Sequence, residues 1–107
     1  MTYEIVFTAK AQQNLNDIVL KVYELSNDKP TAIGFANRLR NAVKRLEDFP
    51  ASGKLPIDRI LLGFGYRYVI EGDYLIFYLH DDENRKVYIH HIVNGKTDYV
   101  RTIIRNI

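Results

Sequence analysis

Residues 65–80 read Gly65-Tyr66-Arg67-Tyr68-Val69-Ile70-Glu71-Gly72-Asp73-Tyr74-Leu75-Ile76-Phe77-Tyr78-Leu79-His80, and after a charged turn the chain continues Lys86-Val87-Tyr88-Ile89-His90-His91-Ile92-Val93. β-Branched and aromatic residues fill these three runs, and such residues favour strands. Gly72-Asp73 is a two-residue hairpin signal. It sets Glu71 opposite Tyr74 and Arg67 opposite Tyr78, and directly opposed residues share a face of a sheet. Arg67, Val69, Ile76, Tyr78 and His80 therefore line one side. Tyr66, Tyr68, Ile70, Leu75, Phe77 and Leu79 line the other, which is the larger apolar row and the expected core face. Joining Val87, Ile89 and Val93 to that row leaves Tyr88, His90 and Ile92 beside Arg67 on an open face. A slip of one residue would exchange the two sets. In a regular strand, His90 and His91 point to opposite faces.

Upstream lies helical cover for this sheet. Tyr3 to Thr8 is a short first strand, and the Thr8 hydroxyl is placed to cap a helix. Ala11, Leu15, Ile18, Val19, Val22 and Leu25 then recur at three- and four-residue steps, one apolar stripe of a helix ending near Leu25. Ser26-Asn27-Asp28-Lys29-Pro30 breaks it. A second helix, about Pro30 to Asp48, carries Ala32, Ile33, Ala36, Leu39, Val43 and Leu46, and Phe49-Pro50 stops it. The short connection predicts an antiparallel αα-hairpin. Residues 51–64 are punctuated by Pro and Gly, with Ile60-Leu61-Leu62 as a short edge strand at most. After Asn94-Gly95, Thr97 or Asp98 caps a short final helix holding Tyr99, Val100, Ile103 and Ile104. The order β-α-α-β-β-β predicts an α+β fold, a mainly antiparallel sheet with the αα-hairpin on one face.

At 107 residues the chain is read as one domain, residues 1–107. It contains no cysteine, which excludes a disulfide framework, a zinc-thiolate site and a thiol nucleophile and fits a reducing cytoplasm. The N-terminus lacks the basic and apolar regions of a signal peptide. No apolar run approaches the roughly 18 residues of a membrane span. The net charge is only +2, but it is unevenly spread. Lys10 and Lys21 are outnumbered by Glu4, Asp17, Glu24 and Asp28, whereas Arg38, Arg40, Lys44, Arg45, Lys54 and Arg59 face only Glu47, Asp48 and Asp58. Such a basic region suits an anionic partner, or is simply a solvated helix face.

The phosphate-binding and nucleophile-elbow motifs are missing, and Gly63-Phe64-Gly65 precedes a strand rather than a helix. No cofactor and no metal site is expected. What remains is basic and aromatic: Arg67, Tyr78, His80, Tyr88 and His90, with Lys54, Arg59 and Lys96 in flanking loops. Arg and Lys meet phosphates, and bases stack on Tyr. Metal-free RNA cleavage needs a group that stabilises charge on the phosphorane, a role for Arg67, and an acid or base, a role for His90 or Lys96. The plainer reading of the same residues is structural, since tyrosines form strands well and strand histidines usually pack.

Several segments together resemble the RelE/ParE superfamily of type II toxin–antitoxin toxins, the plasmid-stabilisation type. They are Phe7-Thr8-x-Lys10-Ala11-x-x-x-Leu15, Leu46-x-x-Phe49-Pro50, Gly65-Tyr66-Arg67-Tyr68-Val69, Tyr74-Leu75-Ile76-Phe77-Tyr78, and Val87-Tyr88-Ile89-x-x-Ile92 leading into Asn94-Gly95-Lys96-x-Asp98-Tyr99. The resemblance implies a RelE/ParE-like sheet packed by a helical hairpin, and a cognate antitoxin that wraps the toxin. RelE-like members cut mRNA on the ribosome without metal; ParE-like members inhibit DNA gyrase. Arg67 matches the arginine that RelE-like nucleases use on this strand, and Lys96 matches a basic position after the last strand. Catalysis, in the nuclease case, would thus fall to Arg67, His90 and Lys96. Lys54, Arg59, Arg67, Tyr78, Tyr88, Lys96 and Arg101 are the candidate RNA- or target-binding residues. Asn94 and Thr97 stand where many members carry His and a second basic residue, so proton transfer and charge are reduced. These departures favour ParE-like inhibition of DNA gyrase. RelE-like cleavage of mRNA is the alternative, and a non-toxic relative acting only in a complex is the second.

Overall fold

The computed structural model describes residues 2–106. Strand β1 (Glu4–Phe7) leads into helix α1 (Ala9–Ser26), then α2 (Lys29–Ala42) and a single 3-10 turn at Lys44–Glu47. A short helix α3 (Arg59–Gly63) precedes strands β2 (Arg67–Glu71), β3 (Tyr74–Asp81) and β4 (Lys86–Asn94), and α4 (Tyr99–Arg105) follows. The sheet order is β1-β4-β3-β2, with β1 parallel to β4 and the other pairs antiparallel. The mixed sheet with its helical hairpin is the α+β architecture expected from the residue pattern.

Local chemistry sets the boundaries. Thr8 caps α1, its Oγ1 accepting from the Ala11 amide at 3.2 Å and donating to the Ile89 carbonyl at 2.9 Å. That one side chain fastens the start of α1 to β4. Asn27 ends α1 in the left-handed region, at φ 51°, and Asp28 caps α2 by accepting from Thr31 N. The second helix stops at Ala42 rather than continuing to Asp48, its last turn tightening to 3-10. Ile60-Leu61-Leu62 is helical, not a strand, because the Asp58 carboxylate accepts from both the Ile60 and Leu61 amides and starts a turn there.

The hairpin register is as expected, with Arg67 opposite Tyr78 and Glu71 opposite Tyr74. The faces are reversed. The αα-hairpin packs on the row of Val69, Ile76 and Tyr78, joined by Val87, Ile89 and Ile92, against Leu15, Ile18, Leu39, Val43 and Leu46. The aromatic row of Tyr66, Tyr68, Leu75, Phe77 and Leu79 belongs to a second cluster, covered by Leu61 of α3 and Tyr99, Val100, Ile103 and Ile104 of α4. β1 and β2 run the same way across the sheet, so the hairpin between them is a crossover. Its face is decided by connection handedness and strand order, which an apolar count along one strand does not contain.

A β-bulge corrects the last strand. Phe77 pairs with His91 but Tyr78 pairs with Ile89, leaving His90 as the extra residue. A bulge puts two consecutive side chains on one side of the sheet. His90 and His91 accordingly both approach Tyr66, with ring centroids at 5.8 and 6.0 Å, instead of pointing apart. Val87 and Ile89 face the hairpin, as does Ile92, while Tyr88 sits across from Leu79 on the other side.

Candidate functional site

Arg67 and Tyr78 are cross-strand neighbours that hold the same loop. The Tyr78 hydroxyl donates to the Pro50 carbonyl at 2.6 Å and accepts from the Gly53 amide at 2.9 Å. Arg67 Nη1 donates to the Gly53 carbonyl at 3.1 Å. Lys54 then exchanges two backbone hydrogen bonds with Tyr68, adding a short bridge to the free edge of β2. Gly53 is required by contact: a Cβ there would lie 2.5 Å from the Tyr78 hydroxyl. Burial raises the Tyr78 pKa, offset in part by its hydrogen bond to Gly53 and by Arg67, so the phenol stays neutral.

The remaining sequence-selected residues scatter around this anchor. Tyr78 is fully buried, at 0% exposure, with no ring face open to a base. His90 is half-buried and lies on the face opposite Arg67, and burial lowers its pKa. His91 is lower still, at about 4, through burial first and then the neighbouring His90 and Lys10. Lys96 is in the β4–α4 turn, where its Nζ lies 3.8 Å from Asp73 Oδ1. Asn94 organises that turn, accepting from Lys96 N at 2.8 Å through Oδ1 and from the Thr97 hydroxyl at 2.7 Å through its carbonyl. Tyr88 is half-buried. Arg101 is exposed on α4 and pairs with Asp98 at 3.5 Å. Lys54 and Arg59 are exposed near α3. Arg67 thus shares a face with neither His90 nor Tyr88. Among the described residues no three metal-ligating side chains converge.

One more polar cluster closes the far end of the sheet. Tyr3 Oη donates to Asp82 Oδ1 at 2.8 Å, and His80 Nδ1 is 2.7 Å from the same oxygen. Both contacts hold the Asp82 carboxyl below its usual pKa. Asp81 and Glu83 flank it, so the surroundings repel phosphate rather than attract it.

Two apolar surfaces were not singled out by the sequence reading. A groove of about 690 Å³ runs along the outside of α1 and α2, lined by Val19, Leu20, Tyr23, Ala32 and Ile33, and its charged lining residues are Lys29 and Arg40. Ile33 and Leu25, placed in the buried stripes by spacing, are in fact 57% and 80% exposed. The second surface surrounds α3, where Leu55, Ile57, Ile60, Leu62 and Phe64 are exposed. The available signal was an excess of large apolar residues over what one buried stripe per helix uses.

The fold has counterparts among solved structures. The chain is similar to one in the chromosomal ParDE toxin–antitoxin system from P. aeruginosa, with a TM-score of 0.70 at 15% identity, over 89% of this chain and 98% of that one. It is also similar to a chain of the toxin–antitoxin complex RelBE2 from Mycobacterium tuberculosis, with a TM-score of 0.61 at 21% identity, over 88% and 99%. No curated protein matches by sequence. A family model described as the ParE toxin of the type II toxin–antitoxin system parDE matches residues 5–99. The chain therefore belongs to the ParE toxin family of type II toxin–antitoxin systems.

Proposed function

We propose that this protein arrests growth by binding DNA gyrase in the cytoplasm, as a non-enzymatic inhibitor, and that a cognate antitoxin neutralises it. The observation that carries this reading is the engagement of Arg67. Its Nη1 donates to the Gly53 carbonyl, tying the guanidinium to the loop, and its sheet neighbour Tyr78 is buried. His90, the candidate catalytic histidine, lies across the sheet, and Lys96 pairs with Asp73. Transesterification needs those groups around one phosphate. Binding to a protein target needs none of them. The α1/α2 groove suits the antitoxin: it is apolar, with Lys29 and Arg40 as its charges, and so fits an amphipathic helix with acidic flanks.

Induction in cells and a supercoiling reaction with purified gyrase test the reading side by side. The expected result is blocked supercoiling with intact cellular mRNA. Cleavage of mRNA at defined codons with normal supercoiling would establish the RelE-like alternative. Growth without arrest would leave a non-toxic relative that acts only in its complex.

A further inference from the structure

We infer that the ridge from Leu55 to Phe64 is the surface with which this toxin grips its target, and that the matching site is an apolar cleft with an acidic rim on that protein. The inference rests on the reading of the chain as an inhibitor that works by protein binding. Ile57 is 97% exposed, and Leu55, Ile60 and Phe64 are each more than half exposed. With Leu62 they put five exposed large apolar side chains within residues 55–64, and such a concentration marks an interaction surface, whereas scattered ones do not.

Folding does not account for them. The ridge is held from beneath by Leu61, fully buried against Tyr66, Phe77 and Ile103. Asp58 caps α3, and the Phe64 amide donates to the Ile60 carbonyl at 3.1 Å, closing the turn that sets these two side chains on one side. The base of the loop is fixed by Arg67 and Tyr78 through Gly53. The ridge is thus a held shape, and its outer side chains could be polar without loss to either core.

Its charges indicate the partner. Lys54 and Arg59 are exposed, and against them stands the half-buried Asp58, which caps α3. Two cations to one carboxylate leave the ridge positive, which a complementary surface meets with carboxylates. A second copy of this chain would bring Lys54 and Arg59 against themselves. RNA is a poor match, because two cations stand among many aliphatic side chains. The α1/α2 groove lies over the other face of the sheet, so target and antitoxin would use separate surfaces.

The test is Ile57→Asp, alone and with Phe64→Asp, in the full chain. Wild type and variants are compared for growth arrest, inhibition of gyrase supercoiling, antitoxin co-purification and melting temperature. We expect the double variant to inhibit at least about tenfold more weakly, as loss of an interface anchor does, with melting and antitoxin binding unchanged. Inhibition and arrest at wild-type strength would overturn the inference, as would loss of antitoxin binding with toxicity retained. So would a wild-type dimer that Ile57→Asp dissociates, or wild-type flotation with phosphatidylglycerol vesicles that the variants lose. A wild type that arrests growth without touching gyrase refutes only the choice of gyrase. The ridge then stands if the variants lose arrest and falls if they keep it, and it falls too if the wild type arrests nothing.

Discussion

Arg67 and Tyr78, paired across β2 and β3, both bind Gly53: the guanidinium takes its carbonyl at 3.1 Å and the phenol takes its amide at 2.9 Å. An arginine that looks catalytic by position is here half of a clamp. We predict that Arg67→Ala lowers stability by about 1 kcal/mol, the usual worth of a partly buried hydrogen bond, while growth arrest persists. Urea unfolding and an induction assay measure the two effects. Abolished toxicity in a protein of wild-type stability would return Arg67 to the chemistry.

Tyr78→Phe removes the other half. It leaves the Gly53 amide and Pro50 carbonyl without their partner and should cost about 1–3 kcal/mol in urea unfolding. Gly53→Ala should be at least as damaging, since its methyl would sit inside contact distance of the buried phenol. Wild-type stability in both would mean that the loop re-forms elsewhere.

The histidine pair makes stability depend on acid. The His91 pKa falls from 6.5 to about 4 because its imidazole is buried, at 3% exposure, beside His90 and Lys10. The unfolded chain then binds a proton that the folded chain refuses. Stability is complete above pH 6.5, falls as pH drops toward 4 and levels off below that, a loss of about 3 kcal/mol from this group. His90 shifts the same way and adds to the slope. In a urea series from pH 7 to pH 4, His91→Phe should flatten the profile; an unchanged slope would assign it to other groups.

Thr8→Ala tests the tie between α1 and β4. It deletes a helix cap and a hydrogen bond to Ile89 together, and we expect a loss of about 1–2 kcal/mol. Thr8→Ser keeps both oxygen contacts and should recover most of it.

Local features were legible and distant ones were not. Gly72-Asp73 determined which residues oppose each other, and that register is the one observed. Thr8 marked its helix for the same reason, since a cap acts within one turn. The bulge at His90 leaves no mark in the alternation of apolar residues, yet it moves one imidazole to the opposite face. The partner of Arg67 is a backbone carbonyl fourteen residues earlier, invisible to any pattern of side chains. Lys54 and Arg59 could be seen as loop cations, but the apolar ridge they border could be recognised only once Leu61 was found to be the one residue of α3 that turns inward.

The parallel seam between β1 and β4 has a consequence for how the molecule is made. Thr8 and Ile89, joined by hydrogen bonds, are 81 residues apart. A ribosome delivers β1, α1 and α2 long before the strand that completes their sheet, and pairings of such separation close slowly. Until β4 emerges, the floor beneath α1 and α2 lacks Val87, Ile89 and Ile92, and β1 has no ladder. A nascent toxin of this design stays incomplete for most of its synthesis, which gives an antitoxin already in the cell time to meet it before it can act.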